Sequence, residues 1–143
     1  MKKLIALAIL VAVGVAGCAS APAKKTVNPN ITACKSFEAT FEKLSQASAD
    51  RNDNTISVAK WQEVEATASD EYSKSSLMAK GDVKRLIDSL IDTIDAAPDG
   101  MRDYLIVEGP LSTAGSRLYY SKLKRVGAAC TKQGFKMSFS TGS

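Results

Sequence analysis

The groups best able to do chemistry in this 143-residue chain are its carboxylates and its three cysteines, because it contains no histidine. Imidazole is the most common general base near neutrality and the most common metal-binding side chain. Its absence removes Ser-His-Asp and Cys-His catalysis and most transition-metal sites. No glycine-rich phosphate cradle takes its place, since Gly14 and Gly17 lie in an apolar N-terminal run and the other glycines are scattered. Carboxylates cluster once. Asp88, Asp92, Asp95 and Asp99 recur at spacings of four, three and four, which on a helix aligns them along one face. Such a row could hold a cation or dock a basic partner, and a pair of carboxylates could do the acid–base work of glycoside hydrolysis. A calcium loop would add a tight glycine turn, and none is present here. The plainer reading is the solvated side of an amphipathic helix, with Lys84 and Arg85 as local partners. The expectation is a protein that is not an enzyme and carries no metal or cofactor.

The first cysteine, Cys18, closes a segment of distinct make-up. Lys2 and Lys3 are followed by an unbroken apolar and small-residue run from Leu4 to Val15, then by Ala16, Gly17 and Cys18. A positive start, an apolar middle and small residues at a cleavage point are the order of an export signal. An uncleaved membrane span is the competing reading. As a helix, residues 4–17 would reach only ~21 Å, short of a bilayer core of ~30 Å.

The sequence Val15-Ala16-Gly17-Cys18 resembles the lipobox of bacterial lipoprotein signal peptides, with Val15 where Leu is favoured. The resemblance covers the first 18 residues. It implies cleavage before Cys18, a thioether-linked diacylglycerol on that cysteine, often a third acyl chain on its amine, and a domain on the extracytoplasmic side of a cell membrane or outer membrane. Each buried methylene adds ~0.8 kcal/mol, so two or more chains anchor stably. Ala19 follows the cysteine; in a Gram-negative cell an Asp there would retain the protein at the inner membrane, and Ala permits outer-membrane transfer.

Residues 18–30 then read as the lipidated cysteine and a flexible tether, rich in Ala, Ser, Pro, Lys, Thr and Asn with little to bury. Export leads to an oxidising compartment, and with Cys18 acylated an even pair remains, so Cys34 and Cys130 are expected to form a disulfide. Two buried free thiols are the alternative; two cysteines without histidine supply too few ligands for zinc.

The elements that must position these groups read as helices. Val83, Leu86, Ile87, Leu90, Ile91 and Ile94 recur at threes and fours, with Asp82 as a candidate cap and Pro98-Asp99-Gly100 as a stop. An earlier helix is expected from about Thr32 to Asp50, burying Cys34, Phe37, Phe41 and Leu44, and a loop over Asp50 to Thr55. A further helix starts near Ser57, with Val58, Trp61, Val64, Ala68 and Tyr72 inward; the polar run Ser69 to Ser76 blurs its end. Met101 to Val107 has the composition for a strand but nothing to pair with, so a short helix or connector is favoured. Pro110 opens a last helix to about Lys132, with Leu111, Ala114, Leu118, Tyr119, Leu123, Val126 and Cys130 inward and Gly134 as its end. The fold class is therefore all-α: a small four-helix bundle clipped by one disulfide, occupying residues 31–134 after a signal peptide over 1–17 and the tether, and followed by a polar, frayed tail over 135–143.

Charge sorts along the chain. All 15 acids lie between Glu38 and Glu108, whereas Gly109 to Ser143 carries six bases and no acid. The domain should be dipolar. The basic last helix can pair internally, face anionic lipid or cell-wall polymer, or bind a protein. Tyr119 and Tyr120 cannot both face inward, so Arg117, Tyr120, Lys122, Lys124 and Arg125 form a candidate interaction face. Export takes the chain away from its nucleic acids, so none is expected as a partner. Outside the signal the chain loosely resembles small helical lipoproteins of bacteria and their prophages. That likeness implies a non-enzymatic interaction module, in some such proteins one that blocks phage entry or protects against a lytic factor. A carrier of a small apolar ligand or lipid between helices is the alternative.

Overall fold

Asn28 begins the first helix. Its side-chain oxygen accepts a hydrogen bond from the Asn30 N–H at 3.0 Å, and Pro29 stands in the first turn, where a missing N–H costs nothing. The computed structural model describes residues 27–96 and 114–141, and in it α1 runs Pro29–Asn52. The helix thus starts ahead of Thr32, and Asn28 to Asn30, read as the end of the tether, belong to its cap and first turn. Asn54, at φ 56°, makes the turn that follows; Asn is among the few residues that enter this region readily.

The second helix, α2, runs Val58–Met78, capped by Ser57, whose hydroxyl accepts from the Lys60 N–H at 3.2 Å. It continues through the serine-rich stretch because tertiary bonds offset weak propensity. Ser75 is buried; its hydroxyl donates to the Glu71 carbonyl at 2.9 Å and shares a hydrogen bond with the Ser36 hydroxyl at 3.0 Å, in which it is left to accept. Ser76 is buried and donates to Asp88. Val58, expected inside, is 47% exposed in the first turn.

Only Ala79 and Lys80 separate α2 from α3, Gly81–Asp95. Gly81 takes φ +58° at this corner, a conformation in which a side chain would be strained. Asp82 does not cap α3 as expected. The cap position is Lys80, with no side-chain cap bond, and Asp82 pairs with Arg85 at 2.9 Å. The Lys80 N–H is satisfied instead by the Asn30 side-chain oxygen at 2.7 Å. The apolar stripe falls as read: Val83, Leu86, Ile87, Leu90 and Ile94 are buried, and Ile91 packs at the edge.

The fourth helix, α4, is Ala114–Lys132. Tyr119, Leu123, Val126, Ala129 and Cys130 enter the core. Leu118 does not, being 50% exposed; it lies ~100° around the helix from Tyr119, and the larger ring takes the inward position. The helix ends in a Schellman motif. Gly134, at φ +89°, lets its N–H reach the Thr131 carbonyl at 2.9 Å while the Phe135 N–H reaches that of Cys130 at 3.0 Å.

The following residues are not the frayed polar tail expected. Met137 is fully buried, Phe135 and Phe139 pack on the core, and Phe139, within a short 3-10 turn at Ser138–Thr141, lies 4.4 Å from the Phe41 ring. Three apolar side chains over five residues bury enough surface to hold a segment that its polar neighbours disguise.

The short links make α1 to α3 antiparallel, and α4 returns beside α3 and α1. The architecture is an all-α bundle of four helices, with no strand among the described residues. Its core centres on Trp61, Tyr72, Tyr119 and Phe37. The Cys34–Cys130 disulfide joins α1 to α4 deep inside it, with Cα atoms 5.8 Å apart, closing a loop of sequence separation 96. Asn28, Asn30, Lys80 and Gln133 meet at one end of the bundle, where Gln133 accepts from both asparagine amides at 3.3 Å. Among the described residues no helix is long and apolar enough to cross a membrane. The export segment, Cys18, Ala19, Pro98 to Gly100, Met101 to Val107, Pro110 and Leu111 lie outside the described residues.

Candidate interaction surface

The helical period divides the predicted basic face. Arg117, Lys124 and Arg125 are exposed on the outer side of α4, opposite the row formed by Tyr119, Leu123, Val126 and Cys130. None of the three enters an ion pair among the described residues. Leu118 joins them, as does the exposed Lys132 one turn beyond Ala128. Arg117, Lys124, Arg125 and Lys132 stand seven, one and seven residues apart, a spacing that keeps side chains on one helix side. Sequence reasoning missed Lys132 and Leu118, and that spacing was the signal for the lysine.

Lys122 belongs elsewhere. It is partly buried, and its ammonium donates to the Ser89 carbonyl of α3 at 2.7 Å. That contact ties two helices together, so Lys122 is a structural cation rather than an offered one. Tyr120 sits on the opposite flank of α4, partly buried, its ring edge-on to Tyr119 at 5.4 Å between centroids. Its burial raises its phenol pKa.

The carboxylate row is brought together in part. Asp88, Asp92 and Asp95 share the outer side of α3, while Asp99 lies outside the described residues. Asp88 is engaged: the Lys84 ammonium lies 2.8 Å from it and Ser76 donates to it. These hydrogen bonds, Lys84 first, lower its pKa despite partial desolvation. Among the described residues, no group of three or more Cys, Asp or Glu is arranged to hold a metal ion.

Two internal features were not legible in the sequence. Tyr72 of α2 and Tyr119 of α4 are fully buried, and their hydroxyls interact with each other without a hydrogen bond of full geometry to any group. They lie near enough to perturb each other's ionisation, and burial above all pushes both pKa values up. Between α1 and α2 there is a groove of about 380 Å³. Leu44, Val64 and Ala68 form its apolar part, and Lys43, Lys60, Glu63 and Glu71 line it with charge. Lys60 and Glu63 pair at 2.9 Å across one helical turn.

Compared with models of known protein families, with curated proteins and with solved structures, the chain matches none.

Proposed function

We propose that the chain is a membrane-anchored envelope lipoprotein, cut before Cys18, acylated on that cysteine, and displaying its bundle on the extracytoplasmic side as a non-enzymatic protein-interaction module. Two observations support the envelope location. The order Lys2-Lys3, apolar run, Val15-Ala16-Gly17-Cys18 is that of a lipoprotein signal. A buried disulfide between Cys34 and Cys130 suits an oxidising compartment.

The observation that carries the interaction role is the outer side of α4. There Arg117, Lys124 and Arg125, free of ion pairs among the described residues, share a helix side with an exposed Leu118. Cations beside an apolar contact suit an acidic protein surface: the charges steer approach and the leucine supplies burial. Of the roles open to such a module, protection of the envelope against phage or a lytic factor is the one implied by the likeness to small helical lipoproteins.

The test is cross-linking in living cells followed by purification without reductant. A single envelope protein should be recovered with the wild type and lost when Arg117, Lys124 and Arg125 become Glu. Lys122 is left intact, because reversing it would break the α3–α4 contact. Capture that is unchanged by the reversals would remove the basic side from the account.

The α1–α2 groove favours a second reading, a carrier of a small apolar ligand, because the buried Leu44 and the partly buried Val64 give it an apolar lining. Stoichiometric lipid held by the Cys18→Ser protein, and no protein partner, would displace the first reading in its favour.

A further inference from the structure

Apolar side chains left in water stand at the two ends of the bundle, with Val58 and Leu118 near the starts of α2 and α4 at one of them. Of the five large hydrophobic residues exposed among the described ones, three stand at the other end of the bundle: Val27 at 72%, Leu77 at 80% and Met78. Leu77 and Met78 form the last turn of α2, and Val27 immediately precedes the cap of α1. The cross-links of Asn30 to Lys80 and of Asn28 and Asn30 to Gln133 bring these segments to the same end.

Cations ring that end. Lys35 of α1, Lys80 of the α2–α3 link, Lys132 in the last turn of α4 and Lys136 beyond it are all exposed, and none is in an ion pair among the described residues. Of the acids nearby, Asp82 pairs with Arg85 at 2.9 Å, Glu71 pairs with Lys74 at 2.7 Å and Glu38 accepts from the Ser138 N–H, while the exposed Asp70 is in no ion pair among the described residues. At the far end acids outnumber bases, with Asp50 and Asp53 at the α1–α2 turn and Asp92 and Asp95 at the close of α3 against Arg51 and Arg117.

We infer that this end is a docking surface for an anionic lipid bilayer: Val27, Leu77 and Met78 enter the headgroup layer, and Lys35, Lys80, Lys132 and Lys136 sit on lipid phosphates. The place where the chain enters the bundle favours a bilayer over a protein. Val27 stands nine positions after Cys18, a span of roughly 30 Å at full extension, with Lys24 and Lys25 along it. This part of the argument rests on the lipoprotein reading, under which the acyl chains hold the Val27 end against the membrane. Each basic residue near an anionic surface favours the bound state roughly fivefold, and the effect fades beyond a Debye length of about 10 Å at 0.1 M salt. The acidic end is then held away from the headgroups.

The test uses the mature chain with Cys18→Ser, oxidised and without lipid, so that the docking surface is read apart from the anchor. It is sedimented with vesicles of 30% phosphatidylglycerol in phosphatidylcholine and with pure phosphatidylcholine vesicles. Binding should require the anionic lipid, weaken in high salt, and fall at least tenfold when Lys80, Lys132 and Lys136 become Glu. Leu77→Ser should weaken binding several-fold and leave its salt dependence in place. A charge-matched control, Arg117, Lys124 and Arg125 to Glu, should retain most of the binding, and circular dichroism checks that each variant is folded. Absence of binding by the folded chain at low salt, or equal losses in the two charge-reversed variants, would overturn the docking surface. The acylation of Cys18 in cells is a separate measurement and can fail on its own.

Discussion

Tyr72 and Tyr119 bring two hydroxyls into the centre of the bundle and give neither a hydrogen bond of full geometry, only the other hydroxyl nearby. A buried polar group without a partner forfeits its bonds to water, at about 1–3 kcal/mol. Replacing both tyrosines by phenylalanine should therefore leave stability within about 1 kcal/mol of wild type or raise it, as read by urea unfolding. A loss beyond about 2 kcal/mol would mean that the hydroxyls are bonded. The pH dependence has a definite sign. Burial raises both phenol pKa values in the folded state, so below about pH 10 both are neutral whether the chain is folded or not. Above that pH the unfolded chain ionises first and stability falls, and it should fall less in the double phenylalanine variant. Asp88 works in the opposite direction. Hydrogen bonds from Lys84 and then Ser76 lower its folded pKa. The stabilisation is present above the ordinary aspartate value and is lost as pH falls through the folded one. Because the pair is nearly half exposed, its worth is at most about 1 kcal/mol. Denaturation of Asp88→Asn should show that small deficit at pH 7 and none in strong acid.

Helix by helix, legibility tracked how far local signals agreed with the tertiary outcome. The α3 stripe could be read because Val83 to Ile94 repeat at helical spacing with polar residues between them. The paired cysteines could be read because one of the three was accounted for. The serine-rich end of α2 could not, since Ser75 and Ser76 owe their helical state to Ser36 and Asp88 on other helices. Asn28 and Pro29 are a cap and a first-turn proline, yet the same pair also reads as a turn in a linker, and only the helix packed behind them decides. On α4 the candidate face was partly legible. Arg117, Lys124 and Arg125 fall where the period puts them, but the sequence does not show that Lys122 is held by a backbone carbonyl of α3. The disulfide is the strongest tie between elements, because α1 and α4 are otherwise sparse neighbours. Changing both Cys34 and Cys130 to Ser should cost roughly 2–5 kcal/mol, measured as a lower urea midpoint. Unchanged stability would mean that the Phe41–Phe139 and Asn30–Gln133 contacts suffice to close the bundle.

Across the molecule, the charge asymmetry of the sequence becomes an asymmetry in space. The basic C-terminal segment folds along α4 and back to the end where the chain enters, and the acids of the α1–α2 turn and of the close of α3 collect at the other end. A membrane-held bundle with one basic end and a basic outer side of α4 can keep the first on lipid and offer the second to a partner. Display of the bundle at the envelope depends on the anchor, so the acylation of Cys18 is the central claim. The direct measurement is the mass of the N-terminal peptide of the protein purified from cell membranes. The account predicts a peptide that begins at Cys18 and carries a diacylglyceryl group, with or without an amide-linked third chain. A peptide that begins at Met1, or at Cys18 with a free thiol, would contradict it.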